Sequence, residues 1–256
     1  MLENSVRKHI EQLHQKKFRK EFGEFLVEGV KGVEEALASD MDVVAVVVDG
    51  TRREEPPFAA FIQLVEKAGV EIFFAGRKDI AYIKTTETFP GVLAVVAMKD
   101  TSFQAVRGSG PFVCLDGVND PGNLGTIIRT ADWFGVSTIL LGQGSVDMYN
   151  EKVVRSTMGS FFRTTICKVS NLADSLEKFI SEGYSVYAFT MEGLPAADLR
   201  VKRTDKVIFL FGSESHGISS ELQRLCTASY TIERKGQAES LNVGVAVGIA
   251  LSHITD

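Results

Sequence analysis

Hydrophobic residues in the first hundred positions form short apolar segments that alternate with segments of helical spacing. The apolar segments are rich in β-branched residues and predict strands at 42–49, 70–75 and 91–98. Helices are predicted at 56–69, which opens with prolines and closes on a glycine, and at 77–85. The earlier segment 24–39 places Val30, Val33, Ala36 and Leu37 on one helical face. Strands that alternate with helices predict a small α/β layer domain.

A polar, glycine-containing segment at 99–111 interrupts this pattern and is the candidate linker. A second alternating series follows it. Its apolar segments predict strands at 112–118, 137–142, around Thr165, and at 184–190, 206–212 and 228–233. Helices are predicted at 123–134, 151–158, 172–183 and 219–225, and in the apolar segment 241–254. We therefore expect a domain at 1–98 and a second, larger α/β domain at 112–256 with a mostly parallel sheet.

Charge is unevenly distributed along the chain. Residues 1–20 contain six Lys or Arg and two Glu, a net charge of +4, whereas the whole chain carries −5 and the remainder therefore −9. A basic segment on an acidic body is typical of an arm that contacts phosphates, and equally of a solvated helix face. Charge alone leaves both interpretations open.

Cysteine usage and hydropathy exclude several classes of protein. Cys114, Cys167 and Cys226 are odd in number and have no CxxC spacing, so the sequence predicts neither a disulfide framework nor a metal site. The N-terminus lacks the apolar stretch of a signal peptide, and no apolar run reaches the roughly 18 residues of a membrane-spanning helix. We expect a cytoplasmic protein without a membrane partner.

Three loops of the second domain are rich in glycine and polar residues. They lie within 115–135, 210–219 and 233–251, and each follows a predicted strand. In open parallel sheets, ligands bind beyond the carboxyl ends of the strands, where loops turn into helices. The three loops are therefore the candidate ligand-binding site.

The loops do not match nucleotide phosphate sites. Gly212 and Gly217 have the spacing of a phosphate loop, but Ile218 stands where the lysine is needed, and Glu214 would repel a triphosphate. Neither Gly108-Ser-Gly110 nor Gly142-Gln-Gly144 completes a dinucleotide fingerprint in the right context. A ligand that is neutral or cationic near its reactive atom, such as S-adenosylmethionine, suits these loops better.

The same loops carry motifs of a known family. They contain Asn123-Leu-Gly125 followed by Arg129, Gly212-Ser-Glu214-Ser-His-Gly217, and Ser240-Leu-Asn242-Val, with VVRSTMGSFFR at 153–163 between the first two. In order and content they resemble the signature motifs of the SpoU (TrmH) family of RNA ribose 2'-O-methyltransferases, within the SPOUT superfamily. The similarity covers most of residues 112–254. Residues from 24 onward resemble, more loosely, the family's small N-terminal substrate-binding domain with its ribosomal-protein-like fold.

The resemblance implies a fold that the spacing of residues does not reveal. It implies a C-terminal α/β domain with a deep trefoil knot, and a homodimer with the knot region at the interface. It also implies an S-adenosylmethionine-dependent enzyme that methylates RNA on a ribose 2'-hydroxyl. The N-terminal domain points to ribosomal RNA as the substrate, and the basic segment and the small domain are expected to supply much of the RNA affinity.

The resemblance also assigns residues. It places the cofactor mainly against main-chain groups at Gly212, Ile232 and Leu241, with the backbone near Leu210 and Phe211 lining the same pocket. It gives Arg129 a catalytic role, either as general base or, since guanidinium is effectively always protonated, as an anchor for phosphate and developing negative charge.

The remaining polar motif residues complete the predicted constellation. Asn123 and Asn242 would orient the ribose or Arg129, Glu214 would accept a hydrogen bond from Arg129 or a backbone donor, and Ser240 would fix its loop. Asp120 or Asn123, and Ser240 or Asn242, are also good N-cap residues for the helices that follow. Trp133 and Phe134, farther along the first helix, are expected in the core.

The sequence is also compatible with other functions. A transfer-RNA ribose 2'-O-methyltransferase has the same motifs, and a non-catalytic RNA-binding factor could retain the fold. A nucleotide-dependent enzyme of doubly wound type is less favoured, because the phosphate fingerprints are missing. Binding of S-adenosylmethionine separates the methyltransferases from the RNA-binding factor.

Overall fold

The computed structural model describes residues 2–84, 87–99, 106 and 110–256, so most of the candidate linker at 99–111 lies outside the described residues. The chain forms two compact units. The first consists of Met1–Asp100 and Tyr149–Phe162, and the second of Thr101–Met148 and Arg163–Asp256. None of the helices in the described ranges combines the length and the apolar character needed to cross a lipid bilayer.

The first unit is built on a mixed four-stranded sheet. Its strands are β1 (Glu24–Glu28), β2 (Val43–Asp49), β3 (Glu71–Ala75) and β4 (Val92–Ala97), in the order β1-β4-β2-β3. β2 and β3 are parallel, and the other two pairs are antiparallel. The helices are α1 (Asn4–Leu13), α2 (Lys16–Phe22), α3 (Val30–Ala38), α4 (Pro56–Lys67) and α5 (Arg77–Ile83).

The segment 24–39 is helical only in its second half. Phe25, Leu26 and Val27 are all buried, and Leu26 pairs with Val95 of β4. Three consecutive buried apolar residues fit a strand covered on both faces better than one face of a helix. The helix α3 begins at Val30, where the spacing of apolar residues changes to helical.

The basic N-terminal segment is packed and helical. Ile10 and Leu13 are fully buried, and the guanidinium of Arg19 donates hydrogen bonds to the carbonyl oxygens of Leu13 and His14 at 3.0 and 2.9 Å. Lys8, Lys16, Lys17 and Lys20 are exposed, whereas Arg7 is half-buried beside Glu11 and Asp79. The four exposed lysines form a basic helix face on the first unit.

Residues 149–162, which include all but the last residue of the motif segment 153–163, fold into the first unit. They form α7 (Glu151–Ser156) and a short 3-10 helix at Ser160–Phe162. The rings of Tyr149 and Phe161 lie 4.8 and 5.6 Å from the ring of Phe25. His14 Nδ1 lies 2.6 Å from Glu151 Oε1, and this hydrogen bond raises the pKa of His14 above its ordinary value. Packing and an ionisable pair thus both hold this segment.

The second unit is built on a six-stranded sheet in which all neighbouring strands are parallel. Its strands are β5 (Phe112–Asp116), β6 (Thr138–Leu141), β7 (Thr165–Lys168), β8 (Ser185–Pro195), β10 (Val207–Gly212) and β11 (Ala228–Thr231). Two short strands, β9 (Val201–Lys202) and β12 (Ile254–Thr255), form a separate parallel pair. The helices are α6 (Pro121–Trp133), α8 (Leu172–Ser181), α9 (Ser220–Gln223) and α10 (Val243–Leu251). The expectation of a mostly parallel sheet is confirmed.

The strand order identifies where a ligand would bind. The strand order is β11-β8-β10-β5-β6-β7. The chain therefore continues from β5 to β6 on one side of the β5–β10 pair, and from β10 to β11 on the other side. Such a reversal opens a crevice beyond the carboxyl ends of the two strands. β5 and β10 are paired up to Asp116 and Gly212, so the first and second motif loops emerge side by side.

Candidate active site

The first motif loop becomes helical through a capped turn. The Asp120 side chain accepts a hydrogen bond from the backbone N–H of Asn123 at 2.8 Å, and Pro121 occupies the first helical position. Pro at this position and Asp at the cap both favour helix initiation. Asp120 is therefore the cap, and the side chain of Asn123, in the first turn of α6, remains available for other partners.

Three motif residues form a continuous chain of hydrogen bonds. Asn123 Nδ2 donates to Glu214 Oε1, and Asn242 Nδ2 donates to Asn123 Oδ1 at 2.8 Å. Asn242 is also the cap of α10, because its Oδ1 accepts from the backbone N–H of Gly244 at 2.9 Å. We call Glu214, Asn123 and Asn242 the asparagine relay. It joins one residue from each motif loop across 91 and 119 positions of sequence.

The second motif loop is a tight turn that requires glycine at its base. Gly217 N–H donates to the Ser213 carbonyl at 2.8 Å and has a positive φ of 65°. A Cβ placed on Gly212 would overlap the carbonyl group of Gly217. No side chain fits at position 212 without moving the backbone of this turn.

Asp116 is a site residue that motif comparison does not identify. It is the last residue of β5, and its Oδ2 accepts from the backbone N–H of Ser219 at 2.9 Å. It thereby holds the far end of the second motif loop against the end of the neighbouring strand. In the sequence, Asp116 could have been identified as a carboxylate directly after the apolar strand residues 112–115.

Three of the predicted cofactor residues lie at the end of β10, and the other two follow β11 and precede α10. Leu210 and Phe211 are buried in that strand, and Gly212 ends it. Pairing with β8 stops at Leu210, whereas pairing with β5 continues to Gly212. Among the described strands, Phe211 and Gly212 are therefore paired with β5 only, and they have no partner strand on the β8 side. Ile232 directly follows β11, and Leu241 is 47% exposed before α10.

Neither Arg129 nor Ser240 is a member of the asparagine relay. Arg129 is exposed on α6, and it lies six residues beyond Asn123, which is about 9 Å along a helix axis. Within the described ranges, neither side chain makes a hydrogen bond or ion pair that would link it to the relay, and the expected contact between Glu214 and Arg129 does not form. Their predicted roles rest on the motif alone.

Trp133 does not lie in the core. Its side chain is 84% exposed on the last turn of α6, one helical turn after Arg129, and Phe134 is half-buried. The expectation of a buried tryptophan is wrong, because periodicity identifies an apolar position but does not say which surface covers it. Arg129 and Trp133 share one face of α6.

The site is suited to a ligand held by main-chain groups. The backbone of Gly217 packs against Gly212, so no side chain fits there, and no described strand pairs with Phe211 and Gly212 on the β8 side of β10. The relay supplies amide and carboxylate groups, and Arg129 supplies a solvent-accessible positive charge on the same helix. In the parts of the chain that the structure describes, no group of three His, Cys, Asp or Glu residues is arranged to hold a metal ion.

Replacing Gly212 with alanine tests the tight turn. The added Cβ must push against the backbone of Gly217, so we expect Gly212→Ala to lower the free energy of unfolding by about 1–3 kcal/mol, as overpacking typically does. Gly236→Ala is the matched control, because a Cβ there meets nothing within 4 Å. Urea unfolding of both variants measures the difference. Equal stability of the two variants would contradict the tight turn.

Comparison with known proteins identifies the family to which the chain belongs. The model of the SpoU rRNA Methylase family matches residues 110–252, and the model of the MRM3-like substrate binding domain matches residues 4–94. The Bacillus subtilis 23S rRNA (guanosine(2553)-2'-O)-methyltransferase RlmP is 31% identical over 252 residues, 98% of this chain and 96% of the relative.

Two solved structures resemble the chain over nearly its whole length. The SpoU methyltransferase AviRb from Streptomyces viridochromogenes, in complex with AdoMet, is 26% identical with a TM-score of 0.86, covering 98% of this chain and 97% of that one. An AdoMet-bound rRNA methyltransferase from Sinorhizobium meliloti is 30% identical with a TM-score of 0.84, covering 99% and 95%. The resemblance seen in the motifs is confirmed, and the chain belongs to the SpoU rRNA methylase family.

Proposed function

We propose that this protein transfers a methyl group from S-adenosylmethionine to a ribose 2'-hydroxyl of ribosomal RNA. The observation that carries the proposal is the asparagine relay, which joins all three motif loops at the crevice between β5 and β10. The relative RlmP, named for this reaction on 23S rRNA, aligns over 98% of the chain and supports ribosomal RNA as the substrate.

The site fits S-adenosylmethionine in its chemistry. The main chain of Phe211 and Gly212, which pairs with no described strand on the β8 side, would bind the cofactor, whereas a phosphate-bearing nucleotide would meet the carboxylate of Glu214. Gly212, Ile232 and Leu241, with the main chain of Leu210 and Phe211, would hold the cofactor. When bound, S-adenosylmethionine supplies an electrophilic methyl group on a sulfonium.

The chain's own residues would position the ribose and stabilise charge. The relay joins the three loops, and Asn123 and Asn242 would orient the sugar through their amide groups. Arg129 would bind the phosphate next to the target ribose and stabilise negative charge that develops on the 2'-oxygen, since a guanidinium stays protonated. Ser240 would hold the third loop once the cofactor is bound.

Arg129→Ala tests this role. Alanine preserves the helix, so the fold and the affinity for S-adenosylmethionine should not change. Loss of one preorganised charge should lower kcat by about 10²–10³-fold. The assay is incorporation of labelled methyl groups into ribosomal RNA, with the product mapped to base or ribose.

Arg224→Ala, an exposed arginine of the same unit, serves as the control for this assay. Full activity of Arg129→Ala would remove Arg129 from the mechanism. Label on a base would contradict ribose methylation, and label only on transfer RNA would favour the alternative substrate. A wild-type chain that binds RNA without binding S-adenosylmethionine would be a non-catalytic RNA-binding factor.

The basic helix face of the first unit would bind RNA phosphates. Lys16, Lys17 and Lys20 are exposed on α2, whereas the rest of the chain is acidic. Deleting residues 1–20 would also remove the buried Ile10 and Leu13, so substitution of the exposed lysines tests charge without removing core residues.

Replacing these three lysines with alanine should weaken RNA binding and reduce the slope of log K against log salt by about one per lost phosphate contact. The affinity for S-adenosylmethionine should stay unchanged, because these side chains lie on the other unit. Fluorescence anisotropy of labelled RNA across a salt series measures the slope. An unchanged slope would show that this face does not contact phosphate.

The second unit would associate as a homodimer with the knot region at the interface. Trp133 of α6 and Val245 of α10 are 84% and 50% exposed, and Leu241, which precedes α10, is also exposed. Large apolar side chains are enriched at protein interfaces. Sedimentation as a monomer at micromolar concentration would contradict the dimer.

The trefoil knot and a cytoplasmic location are also part of the proposal. The similarity of the whole chain to the two SpoU-family structures described above supports the knot. A crystallographic trace without threading near α10 would contradict it. The enzyme would act on ribosomal RNA of the cytoplasm, and fractionation of cells would test this location.

A further inference from the structure

A cavity lies within the first unit. Its volume is about 250 Å³, and it is bounded by the β1–α3 corner and by the segment 149–162. Its apolar walls are formed by Val27, Val30, Val154, Met158 and Phe162. Pockets for drug-sized ligands are roughly 300–1,000 Å³, so this cavity suits a single planar ring system.

A buried carboxylate, its arginine partner and an exposed lysine form the polar part of the wall. Glu28, Arg155 and Lys31 line the cavity, with Glu28 Oε2 3.6 Å from Arg155 Nη1. The Glu28 side chain is only 3% exposed, whereas that of Arg155 is 39% exposed. The buried carboxylate oxygens of Glu28 favour a group that offers N–H donors.

The first turn of α3 adds backbone donors. Residues 29–32 line the cavity, and the cap residue Gly29 has no side chain to accept hydrogen bonds from the first amide groups of the helix. Such uncapped N–H groups need an acceptor, which water or a ligand carbonyl supplies. The cavity thus offers a carboxylate acceptor together with guanidinium and amide donors.

The backbone around Met158 is constrained to form this wall. Met158 has a φ of 51°, unusual for a residue other than glycine, and Gly159 follows with a φ of 95°. A Cβ on Gly159 would lie 2.8 Å from Glu35 Cγ, so the turn is closely packed. Strained backbone of this kind concentrates at functional sites. It presents Met158, 51% exposed, whose thioether can pack against an aromatic ring.

We propose that this cavity binds an unstacked guanine base of the RNA substrate, an inference that rests on the proposed RNA methyltransferase function. Guanine presents two adjacent N–H donors, which match the Glu28 carboxylate. Its O6 and N7 are acceptors, which match Arg155 and the amide groups of α3. Its flat faces pack between Met158 or Phe162 and the valines, as single-stranded bases do in protein pockets.

Base discrimination by the full-length protein tests the proposal. The probes are fluorescently labelled short oligouridines that carry one central guanosine, adenosine or cytidine. The wild type should bind the guanosine probe about tenfold more tightly than the others, the discrimination typical of one bidentate contact. Glu28→Gln should abolish this preference while retaining the affinity for the other probes. Lys67→Ala, on the exposed side of α4, should behave as wild type.

A second measurement covers the case in which Glu28→Gln fails to fold. The methyl resonance of Met158, assigned by its loss in Met158→Leu, should shift when wild-type protein is titrated with the guanosine probe and not with the adenosine probe. Equal affinity for all probes, a preference that survives in folded Glu28→Gln, or an unshifted Met158 methyl group would each overturn the guanine site.

Failure of the cavity and failure of the proposed function give different results. If base preference is missing but wild-type protein still methylates ribosomal RNA, only the guanine site is wrong. If the protein shows guanosine preference without methyl transfer, the cavity stands as an RNA-binding site and the methyltransferase assignment fails.

Discussion

The candidate active site depends on two asparagine side chains that each donate one hydrogen bond and accept another. The amide of Asn242 accepts from the N-terminus of α10 and donates to Asn123, which donates in turn to Glu214. An amide group carries both a donor and an acceptor, so it can continue such a chain in one direction, whereas a carboxylate can only end it. The three loops come together because each contributes the group that its position in this chain requires.

The parallel sheet brings the loops close enough for the relay to form. β5 and β10 are neighbours paired up to Asp116 and Gly212, and α10 packs on α6 through Gly244 and Gly248, where small residues allow a close approach. Asp116 then anchors the far end of the second loop at Ser219. Strand order, helix packing and side-chain hydrogen bonds therefore all fix the same crevice, while the first unit carries the basic face and the cavity proposed for RNA.

Local features of the fold could be predicted from the sequence, and long-range ones could not. Asp120 and Asn242 were among the expected caps, because capping depends on residues two or three positions away. The bond between Asn123 and Asn242 spans 119 positions, and only the fold brings them together. The exposure of Trp133 and the strand β1 escaped prediction for a related reason, since apolar spacing does not show which element covers a residue. Arg129 was identified by its motif, and the structure gives it an exposed position rather than a contact.

The most direct test of the relay is an exchange of amide and carboxylate between positions 123 and 214. Asn123→Asp alone should destabilise the protein, because two carboxylates then face each other, and Glu214→Gln alone should have a smaller effect. In the double variant, the amide introduced at position 214 can donate to the carboxylate introduced at position 123, which still accepts from Asn242, so the chain of hydrogen bonds is restored. The free energy of unfolding of the four proteins at a pH of about 8 should give a favourable coupling of about 1 kcal/mol or more between the two substitutions. Additive effects would show that Asn123 and Glu214 do not interact, and would contradict the account of how the three loops are joined.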